Sequence, residues 1–486
     1  MENTLFYGDN LTILREHIDG GSIDLIYLDP PFNSKATYNI LYKEPNGLAS
    51  SAQVTAFEDS WHWTEETANS FEEIIDDKLV STDIKDMMLA FRKFIGLNDM
   101  MAYLSMMCIR LIGLQRVLKN TGSIYLHCDP TASHYLKIVM DTIFGKRNFR
   151  NEIAWCYTGA SSPGQKQFPR KHDIIFWYSN NTDKWIFNHD DIRIPYSEST
   201  LNRIKAGELG GKSAESVFHG KRTKRTMHKQ GKIPEDWWLI PVLGSTAKER
   251  LGYPTQKPER LLERIIKAST SEGDMVLDPF CGCGTTIMVA QGLRRKWIGI
   301  DITHLATTLI KKRLYDMWGL EAKKDYDVVG EPTDLASAKE LASQNRYQFE
   351  WWGLSLIGAQ PYKGKIKGSD KGIDGVIYFK NVGGEIKKAM VQVKSGNVGV
   401  DKVRDLCHVV NREKAVMGFF ITLHQPTKDM IKEALGEGFY KHKGSSFQKI
   451  QILTIESLLS GTMPSAPFYY SGLRQSGKHI PDQLTI

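Results

Sequence analysis

Two short stretches of the chain carry residue types suited to chemistry. The first is Asp29-Pro30-Pro31-Phe32. An amino group attached to an aromatic ring is a poor nucleophile because its lone pair is delocalised, and hydrogen-bond acceptors aimed at its hydrogens can reorient and activate it. The Asp29 carboxylate and the Pro30 carbonyl are such acceptors, and Phe32 offers a face on which a base can stack. Two successive prolines remove two N–H donors and fix φ, so these acceptors are held stiffly. Taken alone, a proline pair after an apolar run is ordinary punctuation. The second stretch is Asp278-Pro279-Phe280-Cys281-Gly282-Cys283-Gly284-Thr285-Thr286. Gly282 and Gly284 permit a tight turn and a close approach to a ligand, and a helix opening at Thr285 presents unpaired N–H groups. Asp301 follows at about the 20-residue spacing at which an acid meets ribose hydroxyls in nucleoside-binding βαβ units. The loop is not a full GxGxxG and has no GK[ST], so hydride transfer and ATP hydrolysis are poor readings.

Elements of matching character surround both stretches. Asn10 is placed to cap a helix with Leu11, Leu14 and Ile18 on one face, and Gly20-Gly21 then turns the chain into an apolar strand from Ile23 to Leu28. Met275 to Leu277 reads as a buried parallel strand, Thr285 to Leu293 as a helix, and Trp297 to Ile300 as a second strand ending at Asp301. Residues 85 to 118 are rich in methionine, including Met87, Met88, Met100, Met101, Met106 and Met107, and core packing is the better reading of them than a partner-binding face.

The chain has 486 residues, enough for about two to four domains. It has no apolar run of about 18 residues and no signal-like start, so a cytoplasmic protein is expected. Its six cysteines include no CxxC pair, and Cys281 and Cys283 read as small loop residues rather than metal ligands. The net charge of +7 is unevenly spread: residues 219 to 232 hold six Lys or Arg and no acid, a run suited to phosphate contact.

Together, Asp29-Pro30-Pro31-Phe32 and Asp278-Pro279-Phe280-Cys281-Gly282-Cys283-Gly284 resemble motifs IV and I of the amino-group DNA methyltransferases, in the order of the beta class. Gly8-Asp9-Asn10, Gly122-Ser123-Ile124-Tyr125 and Thr255-Gln256-Lys257-Pro258 fit as intermediate landmarks, and the resemblance covers roughly residues 1 to 320. It implies a Rossmann-like α/β fold, a mostly parallel seven-stranded sheet with helices on both faces, binding S-adenosylmethionine at strand ends. It also implies that Asp29, Pro30, Pro31 and Phe32 serve the target amino group, and that Asp278, Phe280, Gly282, Gly284, Thr285 and Asp301 serve the cofactor, with Asp9 and Lys257 as looser assignments. Cys283 stands where serine is usual, a change too small to threaten binding. Residues 158 to 253, where the sheet-helix rhythm lapses, fall where the family carries its target-recognition region. Trp237 and Trp238 there read as packing rather than stacking residues. An aspartate leading the Pro-Pro motif points to adenine N6 rather than cytosine N4.

A second module follows. Ile373 to Phe379 and Ala389 to Lys394 read as a hairpin around Gly383-Gly384, which places Gln392 and Lys394 on one face with Asp374 nearby and Glu350 on the preceding helix. A helix with Val403, Leu406, Cys407 and Val410 on one face, a strand from Val416 to Leu423 and another helix complete an αβββαβ order. Asp374 with Gln392-Val393-Lys394 resembles the Mrr-type branch of the PD-(D/E)xK restriction-endonuclease fold. That resemblance implies Mg²⁺ held by Glu350 and Asp374 with help from Gln392, and Lys394 stabilising developing charge or positioning water. Gln392 stands where a second acid is usual, which favours weaker metal binding and leaves a DNA-binding module that does not cut as the rival.

The expected organisation is a catalytic half (1–157), a target-recognition region (158–253), a cofactor-binding half (254–325), a linker (326–344), a nuclease-like domain (345–460) and a tail (461–486). The expected function is site-specific methylation of double-stranded DNA, coupled to cleavage, with a homodimer compatible with the chain. Rivals are a cytosine-N4 enzyme whose last domain only binds DNA, methylation of RNA or of a protein amide, and a DNA-binding protein without turnover.

Overall fold

The computed structural model describes residues 2–31, 36–43, 49–59, 62–158, 166, 168–205, 215–218, 221–224, 228–244, 247–251, 253, 255–362, 373–381 and 385–467. Phe32, Gly383, Gly384 and much of the basic run 219–232 lie outside them, as does most of the tail.

The first unit is built on nine strands in the spatial order Trp237–Leu239, Phe149–Cys156, His172–Ser179, Leu118–Cys128, Ile23–Leu28, Met275–Asp278, Lys296–Asp301, Thr4–Tyr7 and Asp327–Val329. All neighbours pair in parallel except His172–Ser179, which is antiparallel to both of its partners. The parallel strands therefore end on one edge, and the antiparallel strand begins there. Ile23–Leu28 is buried at every position, as expected of a strand covered on both faces. Helices and the apolar clusters of the two faces supply that cover.

The helix Asp99–Val117 explains the methionines. Met101, Met106 and Met107 are fully or almost fully buried, as is Met88 on the preceding helix Thr82–Ile95, so they fill the core.

Three expectations change. Among the described residues the sheet has nine strands rather than seven, and two of the nine lie inside the interval expected to be a separate reader. His172–Ser179 is a buried, aromatic-rich run that pairs with Leu118–Cys128 and Phe149–Cys156 in the middle of the sheet, and Trp237–Leu239 forms its edge. Trp238 is buried, with Nε1 donating to the Glu235 carbonyl, while Trp237 is exposed. The expected linker is also structured. Asp327–Val329 adds a strand beside Thr4–Tyr7, and the helix Leu335–Gln344 buries Ala338 and Leu341 in the core of the second unit. Finally, Asp9 rather than Asn10 caps the first helix: its Oδ1 accepts from Leu11 and Thr12 N–H, while the Asn10 side chain donates to the Pro279 carbonyl. Either residue suits a cap, and the long-range bond decides between them.

The second unit carries the strand order Gln360–Pro361, Gly375–Lys380, Ile386–Lys394, Met417–Thr422 and Ile450–Thr454. Gly375–Lys380 is antiparallel to both Gln360–Pro361 and Ile386–Lys394, and the pairs from Ile386–Lys394 through Met417–Thr422 to Ile450–Thr454 are parallel. The helices Val400–Arg412 and Lys428–Gly436 fall where the apolar spacing predicts them, and the strand Ile450–Thr454 extends the expected order.

The two units meet at a polar joint. The Tyr7 ring stacks on His304 with centroids 3.6 Å apart, and His304 N donates to Oε1 of Gln348 on the helix Arg346–Leu356. Glu331 accepts from Lys311 Nζ at 2.7 and 2.9 Å. Burial alone would push the Glu331 carboxyl up, but contact with His304 and Lys311 outweighs it and holds the group at about 2. A depressed carboxylate stabilises above its unfolded value near 4.5 and loses that contribution as pH falls towards about 2. Glu331→Gln should therefore melt below wild type near neutral pH, with the gap closing on acidification through that window. A gap that persists at the acid end would remove the charge from the account.

Candidate active site

The strand edge described above gathers the candidate residues into one cleft of about 300 Å³, lined among others by Asp9, Asp29, Pro30, Arg110, Lys257, Phe280 and Asp301. Asp29 follows the strand Ile23–Leu28, Asp278 closes Met275–Asp278, and Asp301 closes Lys296–Asp301; the register pairs Asp278 with Gly299 and Leu277 with Ile26. The permuted order of the two sequence stretches is thus undone in space, because their strands are immediate neighbours.

Asp278 is a brace for the loop. Its Oδ1 accepts from Phe280 N at 3.1 Å and its Oδ2 from the Thr286 hydroxyl at 2.6 Å. Burial pushes its carboxyl up to about 7. Asp301 has a similar double duty: Oδ2 accepts from Gly282 N at 2.9 Å, and Oδ1 from the N–H and hydroxyl of Thr303. Burial also pushes this carboxyl above its ordinary range. Each carboxylate oxygen has more than one lone pair, so Asp301 retains acceptor capacity toward a hydroxyl in the cleft.

The two loop glycines have different reasons. Both adopt left-handed φ, +49° at Gly282 and +78° at Gly284. A Cβ on Gly282 would only reach ordinary contact with the Tyr253 ring, whereas one on Gly284 would lie 2.6 Å from Ile310 Cγ1. Gly284 is therefore required by the packing of the helix His304–Trp318 as well as by the turn, not by approach to a ligand.

Lys257 lines the same cleft and forms an ion pair with Asp29 Oδ2. Asp9 is paired with Arg110 at 2.7 Å, and Arg110 also donates to Asn10 Oδ1. Both Asp9 and Arg110 line the cleft. Thr285 is buried at the helix start. Arg110, Tyr253, His127 and Asp173 are not among the residues that the sequence suggests. His127 is the penultimate residue of Leu118–Cys128 at the same strand edge, and Asp173 follows His172 at the start of the antiparallel strand, so a polar residue near a buried strand end is the available signal.

The cleft lining fits an adenosyl sulfonium cofactor, for which Asp301 would accept from hydroxyls and the loop would offer backbone N–H groups. Asp301→Ala should weaken S-adenosylmethionine binding by roughly 1 to 3 kcal/mol, through lost charge-assisted hydrogen bonds, with DNA affinity unchanged. Calorimetry showing an unaltered affinity would take Asp301 out of the site.

In the second unit the hairpin brings Asp374 and Lys394 together as expected. Asp374 Oδ2 accepts from Val393 N at 2.7 Å and from Lys394 Nζ at 3.0 Å. Gln392 is buried on the same strand face as Lys394. Glu350 is paired with Arg346 at 3.4 Å, one helical turn before Gly353, where the helix rests on Val393. Among the described residues no group of three His, Cys, Asp or Glu side chains could hold a metal ion, and no helix is long and apolar enough to cross a membrane.

Two family models match different parts of the chain. A restriction endonuclease family matches residues 341–453. Type II methyltransferase M.HpaI of Haemophilus parainfluenzae is 33% identical over 41% of this chain and 55% of its own length. DNA adenine methyltransferase YhdJ of Escherichia coli (strain K12) is 27% identical over 62% of this chain and 78% of its own. The chain thus spans only about half of the first of these relatives. The solved PvuII DNA methyltransferase (cytosine-N4-specific) is 16% identical, covers 65% of this chain and 88% of its own, and has a TM-score of 0.39. The DNA methylase family model matches residues 23–312, more than half of the 486; the chain belongs to the N6/N4 DNA methylase family.

Proposed function

We propose that the protein is a site-specific DNA methyltransferase acting on the N6 amino group of adenine, and that its second unit is a Mg²⁺-dependent endonuclease acting on the same DNA. The observation that carries the first part is the placement of Asp29 beside Asp278 and Asp301 at one strand edge, an amino-group acceptor next to a cofactor cradle. When bound, S-adenosylmethionine supplies the methyl group through its sulfonium carbon. The protein's own part is to hold an extruded base so that its amino hydrogens meet Asp29 and the Pro30 carbonyl. Lys257, ion-paired with Asp29 Oδ2, holds that carboxylate in place. Adenine is supported by the aspartate that leads the Pro-Pro pair and by the adenine specificity named for YhdJ.

For the second unit, Asp374 and Glu350 are the carboxylates that would hold Mg²⁺, an ion that is satisfied by one or two carboxylates together with waters and phosphate oxygens. It would polarise the scissile phosphate, and Lys394 would face the charge that develops there. Sequencing DNA from cells expressing the protein, with detection of modified bases, tests the methylation reading. N6-methyladenine at a defined site is the expected result, N4-methylcytosine would replace the base assignment, and unmodified DNA would refute both.

A further inference from the structure

The wall behind the cofactor cleft is not made by the first unit alone. Tyr253 and Cys283 line the cleft and form a small apolar cluster with Leu305, and among the described residues Leu251, Leu309 and Trp351 pack over that cluster. Trp351 belongs to the helix Arg346–Leu356 of the second unit, where it also packs against the core that holds Phe349 and Trp352. One indole therefore joins the cleft wall to the second core. The Tyr253 ring in turn lies beside the loop: a Cβ on Gly282 would be 3.5 Å from its Cε1.

The same helix makes a second contact. Gln348 stands one helical turn before Trp351, so the two side chains share a face. Its Oε1 accepts from His304 N at 3.0 Å. His304 directly follows Thr303, which lines the cleft and whose N–H and hydroxyl donate to Asp301 Oδ1 at 2.9 and 2.8 Å. Tyr7 makes a third contact. It pairs in register with Asp301 and packs against the core of the second unit, and the next residue, Gly8, lines the cleft and donates from N to the Asp301 carbonyl at 3.0 Å. The Asp301–Thr303 turn and the glycine loop are thus both backed by the second unit.

We propose that Trp351, with Gln348, is a positioning residue for S-adenosylmethionine, so that the second unit completes the cofactor site of the first. The inference rests on the reading of the cleft as that site. A cluster of three buried side chains has little packing of its own, and an indole withdrawn from it leaves a void that the wall can relax into. Tyr253 and the backbone at Cys283 would then no longer be held in one place. Binding is tightest when the groups that meet the ligand are already fixed, because ordering them at the moment of binding costs affinity. The dependence is reciprocal: if the helix Arg346–Leu356 helps to hold the cofactor, bound cofactor must steady that helix.

The test measures the affinity of the full chain for S-adenosylmethionine by calorimetry, without DNA. Trp351→Ala should bind at least about fivefold more weakly, within the usual range of coupling between sites. Trp351→Phe keeps an aromatic ring over the cluster and should recover most of the loss. Val410→Ala is the comparison for damage to the second unit in general: Val410 is buried on the other face of the second sheet, in a cluster without residues of the helix Arg346–Leu356, so its truncation should lower the melting temperature and leave cofactor affinity unchanged. Saturating S-adenosylmethionine should also slow amide hydrogen exchange across that helix in wild type, and do so less in Trp351→Ala. If Trp351→Ala does not fold, Gln348→Ala decides instead; it removes a single hydrogen bond and should weaken binding about 2- to 10-fold. Wild-type affinity in the variant that decides, an equal loss in Val410→Ala, or helix exchange that ignores the cofactor in wild type would overturn the inference. Any of these with a wild type that binds S-adenosylmethionine refutes the inference alone, whereas a wild type that does not bind it refutes the reading of the cleft and the inference with it.

Discussion

Asp29→Ala is expected to lower methyl transfer at least about 10²-fold while leaving S-adenosylmethionine affinity within about a factor of three, because the lost group is an acceptor for the reacting amine and not part of the loop that forms the cradle. The geometry separates these roles. The cradle is braced by Asp278 through Phe280 and Thr286, and by Asp301 through Gly282 and Thr303, and none of these bonds involves Asp29. The substitution does strand Lys257, whose ammonium loses its carboxylate partner in a confined cleft. Leaving one member of such a pair unbalanced is costly. Asp29→Asn is therefore the cleaner companion, since it keeps the shape and an acceptor oxygen but removes the charge. Single-turnover transfer and calorimetry on both variants check the expectation, and near-normal transfer by folded Asp29→Ala would remove Asp29 from the chemistry.

What could be read from the sequence follows from which contacts are local. The loop after Met275–Asp278 and the acid ending Lys296–Asp301 belong to one βαβ unit, so their spacing along the chain already implies their meeting. The same holds for Asp374 and Lys394, which lie on the two sides of one hairpin. His127 and Asp173 come together only because His172–Ser179 inserts antiparallel beside Leu118–Cys128, and that strand lies in an interval whose flanks are rich in glycine, serine and basic residues. Its own buried pattern was present, but the loop-like surroundings hid it. Lys257 stands just before a helix leading to the cradle, so its place in the cleft is local, whereas its pairing with Asp29, 228 positions away, is made only by the fold. The Asp9 and Asn10 exchange has the same origin. Two good capping residues stand side by side, and a bond from Asn10 to Pro279, 269 positions away, assigns the cap to the other.

Lys394→Ala is expected to abolish cleavage in practical terms, by about 10²- to 10³-fold, while leaving methylation unchanged. The Lys394 ammonium is the charged partner of Asp374 Oδ2, but the Val393 N–H also holds that oxygen, so the hairpin retains a local restraint when the lysine is removed. The substitution thus subtracts a positive charge without dismantling the strand pairing. The assay incubates unmethylated and fully methylated DNA with wild type and variant, in Mg²⁺ and in chelator. Cutting confined to unmethylated DNA makes the two units a modification and restriction pair in one chain, whereas cutting confined to methylated DNA makes the second unit dependent on the mark that the first one writes. Either outcome gains from the covalent connection, because a recognition event by one unit raises the local concentration of the other on the same DNA. The joint formed by Tyr7, His304 and Gln348 limits how far the units can separate while it holds. Equal cutting by Lys394→Ala, or intact DNA with wild type under every metal and cofactor condition, would reduce the second unit to a DNA-binding accessory.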